Sequence, residues 1–268
     1  MDAFCGIRVT EWSAVDFNLQ ECFRALALGR EKAETRRIGG VNVLSLGVRF
    51  QMFNAAYLAA PVDSETALER SLATAAVHFA ARGLEWSFWL CDSLLPEPVN
   101  RRAQRIMARQ GLTLATRMPG MITASLESPV RPLPACHVRE VTEAALLRDF
   151  CEVGSRCFRV PQPWFEEVFD AGLPQRQPFR AWVGYERGMA VSTAATVVHD
   201  GALGIYNVAT LPGSRGRGYG EAIVREAVAR EFAVHGALPL VLQSTALGLA
   251  LYERMGFQTV TQFRVWVS

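Results

Sequence analysis

The chain has 268 residues, half of them hydrophobic and a fifth charged, with a net charge of +2. This is an ordinary globular balance with ample material for a core, and so small a net charge gives no reason to expect nucleic acid or a membrane surface as partner. No apolar run approaches the roughly 18 residues that would span a bilayer. Met1 to Cys5 lack the basic flank and apolar stretch of a secretory signal. The six cysteines (Cys5, Cys22, Cys91, Cys136, Cys151 and Cys157) form no CxxC pair and no zinc spacing. They read as reduced, mostly buried thiols of a cytoplasmic protein.

In chain order, Val41–Val48 and Asn54–Ala60 read as strands. A helix follows from Ser64 to Arg82, with Asp63 or Ser64 as its N-cap and Gly83 as its stop. Next come a strand at Glu85–Cys91, a helix from Pro98 to Gln110 ended by Gly111, and strands within Leu112–Leu126. Three prolines between Ser125 and Cys136 mark an inter-domain linker, because proline removes donors and pushes its predecessor out of helix. Beyond it lie a short strand at His137–Val141 and helices over Glu143–Cys157 and Pro163–Ala171. Strands follow at Phe179–Tyr185, Ala190–His199 and Ala202–Thr210, the last two joined by the hairpin pair Asp200-Gly201. A helix from Gly220 to His235 carries a charged stripe (Glu221, Arg225, Glu226, Arg230, Glu231) and an apolar one. A strand at Leu238–Ser244, a helix at Leu247–Met255 and strands to Val267 complete the chain.

The two halves run alike, which reads as a duplication ahead of a coincidence between two strand–helix–strand–helix stretches. A strand ends in Leu58-Ala59-Ala60-Pro61 in one and in Thr210-Leu211-Pro212 in the other. The stretch from proline to helix-ending glycine is of similar length in both, Pro61 to Gly83 and Pro212 to Gly236. Arg109-Gln110-Gly111-Leu112 then answers Arg254-Met255-Gly256-Phe257. A duplicated unit with mixed strand directions fits this pattern, with a division into residues 1–130 and 131–268.

The halves differ most between the strand and the long helix. The second reads Pro212-Gly213-Ser214-Arg215-Gly216-Arg217-Gly218-Tyr219-Gly220 there. Its glycines let successive N–H groups point into one concavity, the helix start adds free donors and positive dipole, and Arg215 and Arg217 add charge. Such a loop suits a pyrophosphate. The Walker form is excluded because Gly218 is followed by Tyr219 rather than lysine. The dinucleotide form is excluded because Glu221 stands where its third glycine belongs. The first half reads Pro61-Val62-Asp63-Ser64-Glu65-Thr66-Ala67, without glycine or arginine, and its two carboxylates repel a pyrophosphate.

The loop, taken with Leu251-Tyr252-Glu253-Arg254-Met255-Gly256-Phe257, resembles the GNAT acetyltransferase superfamily. Ile205–Pro212 and Leu242-Gln243-Ser244 share that likeness, and the whole chain resembles bacterial tandem members whose first half is a degenerate copy. The resemblance implies two tandem α/β domains, each a mixed, mainly antiparallel sheet flanked by helices. Acetyl-coenzyme A would be the cosubstrate, with no metal. Its pantetheine would pair with backbone at Val208, Ala209 and Thr210, and its pyrophosphate would sit on Arg215, Gly216, Arg217, Gly218, Tyr219 and Gly220. Ser244 falls in the same region, where it is also placed to cap the next helix. Tyr252 would protonate the departing thiolate, and the acceptor would be a small-molecule or peptide amine attacking directly. Members of the family carry a glutamate on the strand before the loop as base. Residues 202–210 have none, which leaves Tyr206, Asn207 or a water.

Further residues carry ordinary structural explanations. His235 suits a helix C-terminus and His199 a solvated turn. Cys151 and Cys157 suit the core, as do Trp86 and Trp89, the latter pair also a domain interface. Trp164, Phe165, Glu166, Glu167 and Asp170 offer an acidic surface for an amine or simply a solvated helix face. The first half is expected to cover the acceptor end of the cleft. A non-catalytic acyl-coenzyme A sensor is the alternative function, and the oligomeric state is monomer or homodimer.

Overall fold

A computed structural model describes residues 11–170, 172, 173 and 176–268. The expectations for Met1 to Cys5 and for Ala171 lie outside these residues. The first half contains α1 (Glu11–Ala27), β1 (Glu34–Ile38), β2 (Val41–Ser45), β3 (Asn54–Leu58), α2 (Glu65–Ala80), β4 (Ser87–Cys91), α3 (Glu97–Arg109) and β5 (Thr113–Thr123). The second contains β6 (His137–Glu140), α4 (Ala144–Phe158), α5 (Gln162–Val168), β7 (Phe179–Glu186), β8 (Met189–His199), β9 (Ala202–Thr210), α6 (Tyr219–His235), β10 (Leu240–Gln243), α7 (Leu249–Arg254) and β11 (Gln258–Val267). Local chemistry accounts for the boundaries. The Ser64 hydroxyl accepts the Ala67 N–H at 3.2 Å and caps α2, and Asp200-Gly201 turns the β8–β9 hairpin with both residues at positive φ. No helix among the described residues is long and apolar enough to cross a membrane.

Two elements have no counterpart in the sequence reading. α1 is buried around most of its circumference, with Asp16, Asn18 and Gln20 as deeply buried as Val15 and Leu19. It therefore shows no apolar stripe against a polar one. β1 is a short edge strand, exposed through Thr35, Arg36 and Arg37 and half-buried only at its two ends.

The mixed, mainly antiparallel sheet expected of each domain is present, and the two are joined into one. The strands form a single eleven-stranded sheet in the order β1-β2-β3-β4-β11-β5-β10-β9-β8-β7-β6. The last strand of each half is exchanged into the other. β11 lies antiparallel between β4 and β5, and β5 lies antiparallel between β11 and β10. Each half keeps one parallel pair, β3 with β4 and β9 with β10. Matching elements thus appear in matching order outward from the β5–β11 centre, as duplication requires.

Helices cover both faces. On one, α1 sets Phe23 against Tyr57 and Trp89, while α4 and α5 pack Phe150, Phe165 and Phe169 on Phe179. On the other, α2 stacks Phe79 on Trp86, and α6 and α7 enclose Leu203, Ile205, Leu242 and Phe257. α1 belongs to the first half but is bonded to the second. Asn18 Nδ2 donates to the Val197 and Ala202 carbonyls at 3.2 and 3.1 Å, and its Oδ1 accepts the Tyr206 hydroxyl at 2.7 Å. Gly204 allows this crossing, since a Cβ there would stand 1.9 Å from Asn18 Oδ1. Part of the charged stripe of α6 also turns inward: Glu221 and Glu231 are buried, while Glu226 and Arg230 stay exposed. Glu231 is 1 % exposed, accepting from Thr196 Oγ1 at 2.6 Å and from Arg180 at 3.0 Å. That paired, buried carboxylate anchors α6 to the sheet.

The linker around residues 125–136 is a packed strap. Glu127 N–H donates to the Met255 carbonyl and its own carbonyl accepts from Arg225, while Arg131 donates to the Gly216 carbonyl at 2.9 Å.

Two tests follow from this packing. Residues 132–268 expressed alone lack β5 and so expose the bare backbone edges of β10 and β11. Size-exclusion chromatography of that fragment is expected to show aggregate or oligomer instead of a folded monomer. The second concerns Asp16, whose Oδ2 accepts from Gln20 at 2.9 Å and whose Oδ1 has no hydrogen-bond partner among the described residues. Burial pushes its carboxyl up to about 7. The folded state then holds a proton that the unfolded state releases near its ordinary value of 3.8. Stability is therefore lost as pH rises from about 4 to about 7, at up to about 1.4 kcal/mol per pH unit. Urea unfolding of Asp16→Asn across that window is expected to show a flatter profile than the native chain.

Candidate active site

Between β9 and β10 the sheet opens. Their parallel pairing runs only through Leu203–Ile205 against Leu240–Leu242. Just beyond, the register of β9 on β8 shifts between Thr193 and Ala195, so that Asn207 and Val208 both oppose Ala194. Asn207 takes a left-handed φ of 48° in this bulge, and its carbonyl accepts the Thr193 hydroxyl at 2.9 Å. A bulge bends its strand and increases the local twist. Val208, Ala209 and Thr210 consequently have β8 on one side and, among the described residues, no strand on the other. Backbone groups of such an edge are ready to pair with an extended ligand.

The gap leads to the glycine loop. A tight turn at Pro212–Ser214 brings the chain to Arg215, and Gly216 and Gly218 follow in left-handed backbone at φ 74° and 96°. Gly218 is the N-cap of α6, so the first N–H groups of a seventeen-residue helix open at this point. At two positions the cradle leaves little room for a side chain. A Cβ at 218 would meet Pro134 at 3.0 Å, and one at 220 would meet Thr210 Oγ1 at 3.2 Å. These donors and this clearance fit a pyrophosphate. The two loop arginines have different surroundings. Arg215 is exposed at the rim and donates to the Thr210 carbonyl at 3.0 Å. Arg217 is drawn aside by Glu186, 3.0 Å away, with its guanidinium 5.1 Å from the Tyr219 ring centre. Arg131 from the strap joins the loop rim, a contribution hidden in the sequence because it comes from the stretch read as a linker.

Tyr252 stands on α7 beside the gap, 7 % exposed, with its ring edge-on to Phe257 at 5.7 Å. Burial pushes its phenol well above the usual range, so at neutral pH it carries its proton. No hydrogen bond to its hydroxyl occurs among the described residues, and the side chain lines the cleft. Ser244 is fully buried and donates to the Thr245 carbonyl at 2.8 Å. It neither lines the cleft nor caps α7. Thr245 lines the cleft, and its Oγ1 accepts the Gly248 N–H at 3.3 Å in the turn that leads into α7, whose N-cap is Gly248.

The remaining candidates separate clearly. Tyr206 gives its proton to Asn18, and burial pushes its phenol far up, so it is a donor and a poor base. His199 and His235 stand near Glu21 and Glu231, at 3.9 and 3.7 Å, and neither lines the cleft. Cys151 is a core thiol pushed up to about 12 by burial. Cys157 departs from the core expectation: it is half-buried and lines the cleft beside Arg215. Two acids of the α5 region are paired with arginines, and the exposed Glu166 accepts from Gln162. Glu167 takes Arg49 at 3.1 Å, and Asp170 takes Arg30 and Arg176 at 2.5 and 2.6 Å.

One cleft of about 1040 Å³ connects these parts. It runs from the loop through the gap in the sheet to the α1 face, where Phe23, Phe50, Met52, Phe53 and Trp89 of the first half line it. Trp86 stays in the core, stacked on Phe79.

Residues 177–259 match the family model described as an acetyltransferase (GNAT) domain. No curated protein matches the chain. A GCN5-related N-acetyltransferase from Kribbella flavida is similar over 95 % of both chains at 18 % identity, with a TM-score of 0.69. A functionally unknown conserved protein from Staphylococcus epidermidis is similar over 90 % of this chain and 95 % of its own, at 10 % identity and a TM-score of 0.65. A tandem GNAT protein from the clavulanic acid biosynthesis pathway is similar over 94 % of this chain and 95 % of its own, at 11 % identity and a TM-score of 0.51. These likenesses are to the fold across both halves, whereas the family model covers the stretch with the glycine loop and Tyr252. Residues 177–259 thus match a GNAT acetyltransferase domain, and the chain as a whole shares the fold of tandem GNAT structures.

Proposed function

We propose that the chain is an N-acyltransferase, in which residues 131–268 bind acetyl-coenzyme A and residues 1–130 wall the acceptor end of the cleft. The observation that carries this reading is the gap between β9 and β10, which opens at one end onto the glycine loop and has Tyr252 on its flank. The backbone of Val208, Ala209 and Thr210 pairs with the pantetheine amides. The N–H groups of residues 215–220 hold the pyrophosphate, with charge from Arg215 and Arg131. An amine nitrogen attacks the thioester carbonyl, forming the C–N bond as the C–S bond breaks. Tyr252 gives its proton to the sulfur and is reprotonated at the expense of the new amide nitrogen, so no net proton is gained or lost.

The absence of a carboxylate on β9 favours one competing reading, a sensor that binds acyl-coenzyme A without turnover. Free thiol measured against a panel of amines separates the two: acetyl-coenzyme A binding with no thiol release from any of them would leave the sensor.

Tyr252→Phe keeps the ring packing on Phe257 and removes only the hydroxyl. It is expected to lower kcat by about 10²- to 10⁴-fold while calorimetry gives an unchanged affinity for acetyl-coenzyme A. Undiminished turnover would remove Tyr252 from the chemistry. Gly218→Ala places a side chain at φ 96° and against Pro134. It is expected to weaken coenzyme A binding about tenfold or more through strain in the cradle.

A further inference from the structure

The acceptor end of the cleft has a distinct chemistry. Beyond the gap it is lined by Phe23, Phe50, Met52, Phe53, Trp89 and Met118. The rings pack as an ordered wall, Phe23 lying 5.5 Å from both Phe53 and Trp89 between centroids. Charge is confined to the other end. The charged residues that line the cleft are Arg131, Arg215, Glu221 and Arg254, which belong to the strap, the loop and the α6 and α7 helices, and Glu221 is held by Arg225 at 2.8 Å. No carboxylate among the described residues lines the aromatic end. The nearby acids Glu167 and Asp170 are already paired with arginines. Polyamines, aminoglycosides and lysine side chains bring cationic groups whose burial without a partner costs several kcal/mol on the general scale.

We infer that the acceptor is an amine carried on an apolar body, aromatic or aliphatic, which enters the first half's aromatic chamber and reacts uncharged. The inference rests on the acyltransferase reading and names its substrate class. Three observations support it together: the aromatic lining, the absence of a counter-ion, and a cleft volume at the upper end of the usual range for ligand sites, which accommodates an acyl-bearing arm together with a second molecule. It also removes a chemical difficulty. An alkylamine in water at pH 7 is almost wholly protonated, but an apolar chamber disfavours the charged form. A nitrogen that arrives with its lone pair free needs no carboxylate on β9 to deprotonate it before attack. The C–N bond forms and the C–S bond breaks, and the proton shed by nitrogen balances the one that Tyr252 gives to sulfur.

The test uses the full chain loaded with acetyl-coenzyme A, whose binding is established first by calorimetry; absence of that binding would defeat the underlying reading instead. Phenethylamine, tryptamine and octylamine are then compared with spermidine, kanamycin and a lysine peptide by thiol release. Quenching of tryptophan emission, to which Trp89 contributes, follows binding of phenethylamine and octylamine. The expected result is saturable quenching by both, and kcat/KM for the apolar amines at least about tenfold above that for the polycations. Met52 is half-buried on a short turn, so Met52→Glu introduces a carboxylate with little risk to folding. It is expected to cut apolar-amine kcat/KM about tenfold, with Met52→Leu staying within about twofold. Preference for a polycation, or no saturable binding of any apolar amine, would overturn the inference. So would octanoyl-coenzyme A outperforming acetyl-coenzyme A while excluding the apolar amine, since the chamber would then house the acyl chain.

Discussion

Strands β5 and β11 lie antiparallel at the middle of the sheet, and each completes the half to which it does not belong. Every backbone donor and acceptor in a buried strand needs a partner, and in each half the parallel pair takes its inner partner from the last strand of the other half. β10 takes β5 from the first half, and β4 takes β11 from the second. This exchange turns a duplication into one continuous hydrophobic body. It also fixes α1 over β9, where Asn18 binds two carbonyls and the Tyr206 hydroxyl.

The same pairing explains how an opening survives in the centre of a sheet. β10 is short, and its partner on the far side is β5, so β9 is free to bend away at the Asn207–Val208 bulge without leaving β10 unpaired. The buried Glu231 network and the strap around Arg131 hold α6 and its loop against that opening from the other direction. The cleft is therefore held open by secondary-structure hydrogen bonds and two polar anchors, and rigid supports of this kind suit a site where small displacements matter.

The two halves have diverged along electrostatic lines. At the loop the second half keeps glycines and a helix start open to an anion, while the first half has Asp63 and Glu65 around a side-chain cap at Ser64. That cap engages one helix-start donor of α2, the Ala67 N–H, and the two carboxylates beside it repel an anion. What the first half retains is its α1 face, and there Phe23, Phe53 and Trp89 form the far wall of its partner's cleft.

Much of this could be read locally. The Ser64 cap, the Gly83 and Gly111 stops, the Asp200-Gly201 hairpin, the glycine loop and the position of Tyr252 depend on backbone preferences within a few residues, which sequence spacing records directly. The matching prolines and glycines of the two halves likewise declared the repeat. The buried helix α1 was silent because Asn18 meets partners nearly two hundred positions away while Asp16 and Gln20 bond each other in the interior, so no periodic contrast marks it. Which strand pairs with which, the strap that closes on Gly216, the inward turn of Glu231, the departure of Arg217 toward Glu186 and the aromatic lining of the acceptor end were all decided by tertiary structure. Each depends on contacts between distant segments, where hydrogen-bond completion and burial, rather than local propensity, select the arrangement.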